Sequence, residues 1–255
     1  MQVRQEFYAG HAGARLALYR MAPSGISNGR PLLLLHGLFS SAQMNWIKWG
    51  HAACLAAAGF EVLMPDLRAH GDSDAPHDPT AYPADVLAKD AIALVAGLGL
   101  TDYDLGGFSL GARTSVRAVI GGLRPRRMVL GGMGLEGLAG WTGRQAFFID
   151  AIDRFADVRM GDPAYMTVQF MKSMKVDRVA ARLLLQTMTD TDPAALAALA
   201  MPTLVVCGDE DNDNGSADRL VAALPDARRA VIPGTHMGSV TGPALGEAIR
   251  DFLMA

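Results

Sequence analysis

Gly107-Phe108-Ser109-Leu110-Gly111 decides how the rest of this chain is read. The pentapeptide follows an apolar run holding Tyr103 and Leu105 and precedes a helix-like run from Ala112 to Ile120. A serine on so tight a strand-to-helix turn is pushed into a strained backbone conformation, and only residues without bulk fit two positions to either side. Its hydroxyl then stands at the mouth of a sheet, beside a helix N-terminus whose free N–H groups favour negative charge. Among 28 glycines the five letters alone could arise by chance. Their setting between a strand and a helix is what gives them weight.

Working outward, strand and helix patterns alternate along most of the chain. Residues 3–8 and 15–19 read as a hairpin. Residues 32–35 are an unbroken apolar run, as expected of a strand buried on both faces. A helix is expected over 44–58, a strand over 61–64, a helix over 83–98 and a strand over 103–108 that ends on the pentapeptide. The helix after Ser109 and a strand over 127–130 follow. The alternation then stops: 144–155, 165–174 and 178–188 carry helix patterns with no strand between them. It resumes with a strand over 203–207, a helix over 216–224, a strand over 229–232 and a helix over 243–253. Repeated units of this kind predict an α/β fold with a mostly parallel, doubly wound sheet and helices on both faces. Residues 1–133 and 191–255 form the core domain in this reading, and 134–190 a helical insertion.

Composition narrows the function classes. Half of the 255 residues are apolar, enough for a large core. The net charge of -3 offers no electrostatic case for nucleic acid or an anionic membrane. Arg124, Arg126 and Arg127 are the one tight basic cluster, placed to cap a helix and open a strand. Cys54 and Cys207 lie in apolar contexts without metal-ligand spacing, which predicts buried free thiols in a reducing compartment. Residues 1–8 lack a hydrophobic signal region, and the longest apolar stretch, 91–100, is too short to span a bilayer. A soluble, cytoplasmic protein acting on a small molecule is the expectation. Oligomeric state is not readable.

A serine hydroxyl needs a base to take its proton, and the base needs a carboxylate to orient it. His236 follows the last expected strand and is the candidate base. His11 and His77 fall in exposed loops and His51 in a helix pattern. Four acidic residues (Asp209, Glu210, Asp211 and Asp213) follow the strand over 203–207. Like charges so close raise one another's pKa, so most of them must face solvent. Asp211 lies far enough into the loop to turn back towards a histidine; Asp209, Asp213 and Glu136 remain alternatives. Donors for a developing oxyanion are expected from the backbone N–H groups of Leu110 and of Leu38, the latter in the loop His36-Gly37-Leu38-Phe39-Ser40.

With Ser109, Asp211 and His236 in that order, the chain resembles the α/β-hydrolase superfamily. The resemblance covers nearly the whole chain. It includes the His36-Gly37 loop, the segment from Pro65 to Ser73, the elbow at Ser109, the Gly208-x-x-Asp211 turn and the Gly234-Thr235-His236 loop. It implies that Asp211 is the triad acid, that His36 and His70 are scaffold, and that 134–190 is a cap that roofs the pocket. Relatives that open epoxides or displace halide carry Asp at the elbow, whereas this chain has Ser109. The implied reaction is therefore hydrolysis of a carboxylic ester, thioester or lactone of a small to medium apolar substrate, through an acyl-enzyme and with no cofactor or metal. A C–C bond hydrolase, a perhydrolase or lyase with the same triad, and a ligand-sensing protein on the same fold are the alternatives.

Trp141, Phe147, Phe148, Phe155, Tyr165, Met166, Phe170, Met171 and Met174 are expected mostly to pack the insertion against the core. Phe39 and Met133, with Leu38, are expected to line an apolar cleft. Arg113, Arg144 and Lys172 could bind a substrate carboxylate, but a solvated surface role is expected for each.

Overall fold

The computed structural model describes residues 2–255. Eight strands form one sheet: β1 (Val3–Ala9), β2 (Arg15–Met21), β3 (Pro31–Leu35), β4 (Glu61–Pro65), β5 (Asp104–Phe108), β6 (Met128–Gly131), β7 (Thr203–Gly208) and β8 (Ala227–Ile232). Their spatial order is β1-β2-β4-β3-β5-β6-β7-β8. β1 and β2 pair antiparallel, β2 joins β4 antiparallel, and every pairing from β4 to β8 is parallel. The helices are α1 (His51–Ala57), α2 (Val86–Gly97), α3 (Leu110–Ile120), α4 (Leu135–Ala139), α5 (Trp141–Asp153), α6 (Tyr165–Ser173), α7 (Arg178–Gln186), α8 (Ala217–Ala223) and α9 (Ala244–Met254).

Side chains alternate across a strand, so a strand that is apolar at every position feeds two cores at once. In β3, Leu33 and Leu35 face a core shared with Leu94 of α2, Val116 of α3 and Leu220 of α8. Leu32 and Leu34 face the opposite core, with Leu55 of α1 and Ile249 and Leu253 of α9. All four leucines are fully buried. The chain leaves β3 for β4 on one side and returns to β5 on the other, so the strand order reverses between β3 and β5. Their two exit loops therefore meet at the carboxyl edge of the sheet, where ligands of such sheets bind.

The expected helix over 44–58 is broken in two. Residues Gln43–Ile47 form a turn of π-helix and α1 starts at His51, because Gly50 sits at φ 82°, a left-handed backbone angle that no α-helix continues through. α2 likewise starts at Val86 instead of residue 83, behind Asp85 at φ 59°. Between β6 and β7 the chain builds α4 to α7, whose buried residues form a third cluster (Trp141, Ile152, Val168, Met171, Leu185) that takes in Phe39 from the β3 exit loop. Phe147 and Met166 stay exposed. No helix among the described residues is long and apolar enough to cross a membrane.

One buried ion pair ties loops to this frame. Arg68 binds Asp90 of α2 in bidentate fashion (Nε–Oδ2 3.0 Å, Nη2–Oδ1 2.7 Å) and also donates to the carbonyls of Ala81 and His11. Burial still pushes the Asp90 carboxyl up despite this partner, so desolvation outweighs the attraction. Such a pair adds little as a unit, yet removing one member strands the other. Arg68→Met is expected to cost about 3–5 kcal/mol and to lower Tm by roughly 10 °C, whereas Arg68→Met with Asp90→Leu recovers most of the loss. Thermal denaturation of the three proteins checks this.

Candidate active site

Ser109 lies between β5 and α3 at φ 54°, ψ −111°, a conformation that non-glycine residues rarely adopt. Close backbone packing imposes it. A Cβ at Gly107 would lie 2.2 Å from the carbonyl carbon of Gly111, and one at Gly111 would lie 2.0 Å from the Leu35 carbonyl oxygen. Both positions thus exclude every side chain. The Ser109 N–H is held by the Gly131 carbonyl at 2.8 Å, which hangs the turn from β6 as well.

The β3 exit loop faces this turn: a Cβ at Gly37 would be 3.6 Å from Ser109 Cβ. The loop is braced from both sides. Asn45 Oδ1 accepts the Gly37 N–H at 2.9 Å, and His36 Nδ1–H donates to the Gly37 carbonyl at 2.8 Å. His36 Nε2 accepts the Leu67 N–H at 2.9 Å, so the ring serves as donor and acceptor and must be neutral. Burial agrees, holding its pKa down at about 4. His70 packs edge-on to it at 5.1 Å and is held down at about 3 by burial, with the His36 ring as a lesser cause. Phe39 adopts φ 58° and is buried. The N–H groups of Leu38 and Leu110 have no acceptor among the described residues.

On the other side of Ser109, the loops after β7 and β8 are knitted together. Asp209 N–H donates to Ile232 and Glu210 N–H to Gly234, at 2.8 and 3.2 Å. Of the four acidic residues, Asp209 accepts the Gly234 N–H at 2.7 Å and so shapes the turn before His236. Asp211 Oδ2 accepts from His236 Nδ1 at 2.9 Å, and its other oxygen takes the Asp213 N–H at 3.2 Å. Asp213 is exposed. Glu136 turns away to the Ser216 N–H and Arg219. The His236 ring lies on Phe108, centroids 5.0 Å apart, one residue from Ser109. Asp211 and His236 are thus brought together against Phe108, the residue before Ser109, and Asp209, Asp213 and Glu136 are not part of that contact.

Two further polar residues were missed in the sequence. Asn45 sits in the π-helical turn, and Asn214 follows the acidic run. Asn214 is buried and donates from Nδ2 to the Gly132 carbonyl at 2.7 Å, while a Cβ on Gly132 would come within 2.9 Å of His236 Cε1. A lone asparagine carries no pattern in a single sequence, so neither announced itself. Met133 is buried beside Leu110 and Leu138 in the core below the loops. The solvated roles expected for two arginines do not hold. Arg113 is buried and donates to the carbonyls of Leu138 (3.0 Å), Gly137 and Thr189, which ties α3 to both ends of the helical segment. Burial draws its guanidinium down to about 10. Arg144 is partly buried and donates to Asn214 Oδ1. Lys172 is exposed, as expected. Among the described residues no group of three or more His, Cys, Asp or Glu side chains could hold a metal.

Comparison with known proteins agrees with this architecture. The family model described as "alpha/beta hydrolase fold" matches residues 30–120, the stretch that carries the β3 exit loop and the Ser109 turn. A hydrolase structure from Pseudomonas aeruginosa superposes with a TM-score of 0.74 at 24% identity, covering 99% of both chains. The chain has the α/β-hydrolase fold. An esterase structure from a Rhodococcus species is similar to the same degree, with a TM-score of 0.74, 24% identity and 100% and 99% of the two chains covered. Epoxide hydrolase 2 of Siraitia grosvenorii is 34% identical over 93 residues, which is 36% of this chain and 28% of that protein. The alignment therefore spans less than a third of that relative's length. A non-heme haloperoxidase of Rhodococcus erythropolis is 29% identical over 84% of this chain and 88% of its own.

The packing at Ser109 makes a contrast that can be measured. Gly111→Ala must force α3 away from β3 and is expected to cost about 4 kcal/mol or more, or to abolish soluble expression. Gly143→Ala, in α5 with open space around the position, is expected to stabilise by about 0.5–1 kcal/mol. Urea unfolding of both variants reads the difference.

Proposed function

We propose that the protein is a serine hydrolase that cleaves a carboxylic ester, thioester or lactone through an acyl-enzyme, with Ser109 as nucleophile, His236 as base and Asp211 as the orienting acid. The observation that carries the reading is the His236 ring held by Asp211 at 2.9 Å and laid on Phe108, next to a strained Ser109. With Nδ1–H bonded to Asp211, Nε2 is the nitrogen left to take the Ser109 proton. Ser109 Oγ then adds to the substrate carbonyl carbon. The oxyanion is taken by the N–H groups of Leu38 and Leu110, which have no acceptor among the described residues. Collapse expels the leaving group, which leaves with the proton from His236, and water repeats both steps on the acyl-enzyme. A strained turn keeps Oγ in position without side-chain adjustment in each cycle, and the neutral His36 scaffold holds the facing loop still.

The helical segment between β6 and β7 is the cap in this reading. Phe148 of α5 meets Phe39 edge-on at 6.1 Å, which joins the cap to the β3 exit loop. In this reading Leu38 supplies the apolar side of the cleft, backed by the buried Phe39 and Met133. Epoxide hydrolases are among the relatives, but the Ser at position 109 favours acyl chemistry over their ring opening. Similarity to a haloperoxidase over 84% of this chain supports one second reading, in which peroxide replaces water and the acyl-enzyme yields a peracid.

A fluorophosphonate probe is expected to label the protein at Ser109, and Ser109→Ala to abolish labelling. On a panel of short acyl esters and thioesters, Asp211→Asn should lower kcat by about 10⁴-fold, whereas Asp209→Asn lowers it by about 10-fold or less. The reverse order of the two Asp variants would contradict the assignment. Bromination that requires both peroxide and a short carboxylic acid, exceeding ester hydrolysis, would favour the peracid reading.

A further inference from the structure

An arginine that a fold takes out of water normally finds an anion or a set of carbonyls. Arg68 has Asp90 and two carbonyls, and Arg113 has three carbonyls. Arg144 of α5 has neither. It is partly buried, makes no ion pair among the described residues, and spends one of its five N–H donors on the amide oxygen of Asn214. Burial holds its guanidinium below the usual arginine range, with Asp213 and Asp211 acting in the opposite direction. Neither carboxylate is bonded to it, and Asp211 is already engaged by His236 and the Asp213 N–H.

Its place in the fold is specific. Asn214 passes from Arg144 to the Gly132 carbonyl at 2.7 Å, and Gly132 backs directly onto His236. On the other side the guanidinium carbon lies 5.8 Å from the centre of the Phe148 ring, and Phe148 meets Phe39 of the β3 exit loop. Arg144 thus holds the loop after β7 through Asn214, while Phe148, one turn on along α5, holds the β3 exit loop. We infer that Arg144 is an anion subsite that receives a carboxylate carried by the substrate away from the bond Ser109 attacks. This rests on the serine-hydrolase reading and names its substrate class: the monoanionic ester or lactone of a dicarboxylic acid, with an apolar body lying along Phe148 and Leu38. A planar carboxylate matches the free edge of the guanidinium fork, and a single negative charge suits the site better than a phosphate dianion, which Asp211 and Asp213 would repel.

The direct test is binding to the Ser109→Ala protein, which needs no turnover. Calorimetric titration with monoethyl glutarate is expected to show affinity at least about 10-fold above that for the neutral diethyl ester. Arg144→Gln in the same background should remove that preference, and Arg144→Lys, which keeps the charge but loses the fork, should keep an intermediate one. Equal discrimination between the two esters in all three proteins, or none in any, overturns the subsite and leaves Arg144 as a clamp on Asn214. The wild-type enzyme is then assayed on the same pair. Preferential binding without cleavage of either ester would refute the serine-hydrolase reading while upholding the subsite. Cleavage of both with no effect of Arg144→Gln on their kcat/KM ratio would do the opposite.

Discussion

Everything at this site depends on backbone approaching backbone where β5 turns into α3. Gly111 lies so close to the Leu35 carbonyl, and Gly107 so close to Gly111, that neither can carry a Cβ. That contact presses the N-terminus of α3 against the end of β3. It forces Ser109 between them into a left-handed angle and brings the β3 exit loop within van der Waals reach of the serine. Strain of this kind costs on the order of 1–3 kcal/mol and persists only where the surroundings over-determine it. Here the surroundings are the two central strands, buried on both faces.

From that point outward, the fold spends its buried polar groups on holding loops. His36 and Asn45 hold the β3 exit loop, His70 braces the turn after β4, Asp209 holds the turn before His236, and Arg113 holds both ends of the helical segment. The low pKa values of His36 and His70 follow from this service: each ring is buried and neutral, and His36 uses both nitrogens as a fixed donor and acceptor. His236 differs in kind, since its partner is a carboxylate and its second nitrogen is left for other chemistry.

The sheet was legible because β3, β5, β6 and β7 are apolar at nearly every position, and only strands covered on both faces can be so. The split of the helix over 44–58 was not, because the apolar period runs on through Gly50 and only its backbone angle breaks it. The Ser109 turn could be read from its two glycines, whose absence of side chains is itself the structural requirement. The choice among Asp209, Asp211 and Asp213 could not be settled from charge spacing. It depends on which carboxylate the Gly234 N–H occupies, a contact between loops 25 residues apart. Asn45, Asn214 and the buried setting of Arg144 escaped for the same reason. Each is a single polar residue whose partners come from distant parts of the chain.

A covalent acyl bond at Ser109 is the central consequence of this arrangement. The most direct measurement is rapid acid quench of the protein mixed with a 4-nitrophenyl ester, followed by mass spectrometry of the peptide that contains Ser109. The expected result is a mass increase equal to the acyl group, located on Ser109, which accumulates further when Asp211→Asn slows deacylation more than acylation. Steady ester turnover with no acyl adduct on Ser109 at any quench time, together with unimpaired turnover by Ser109→Ala, would contradict it.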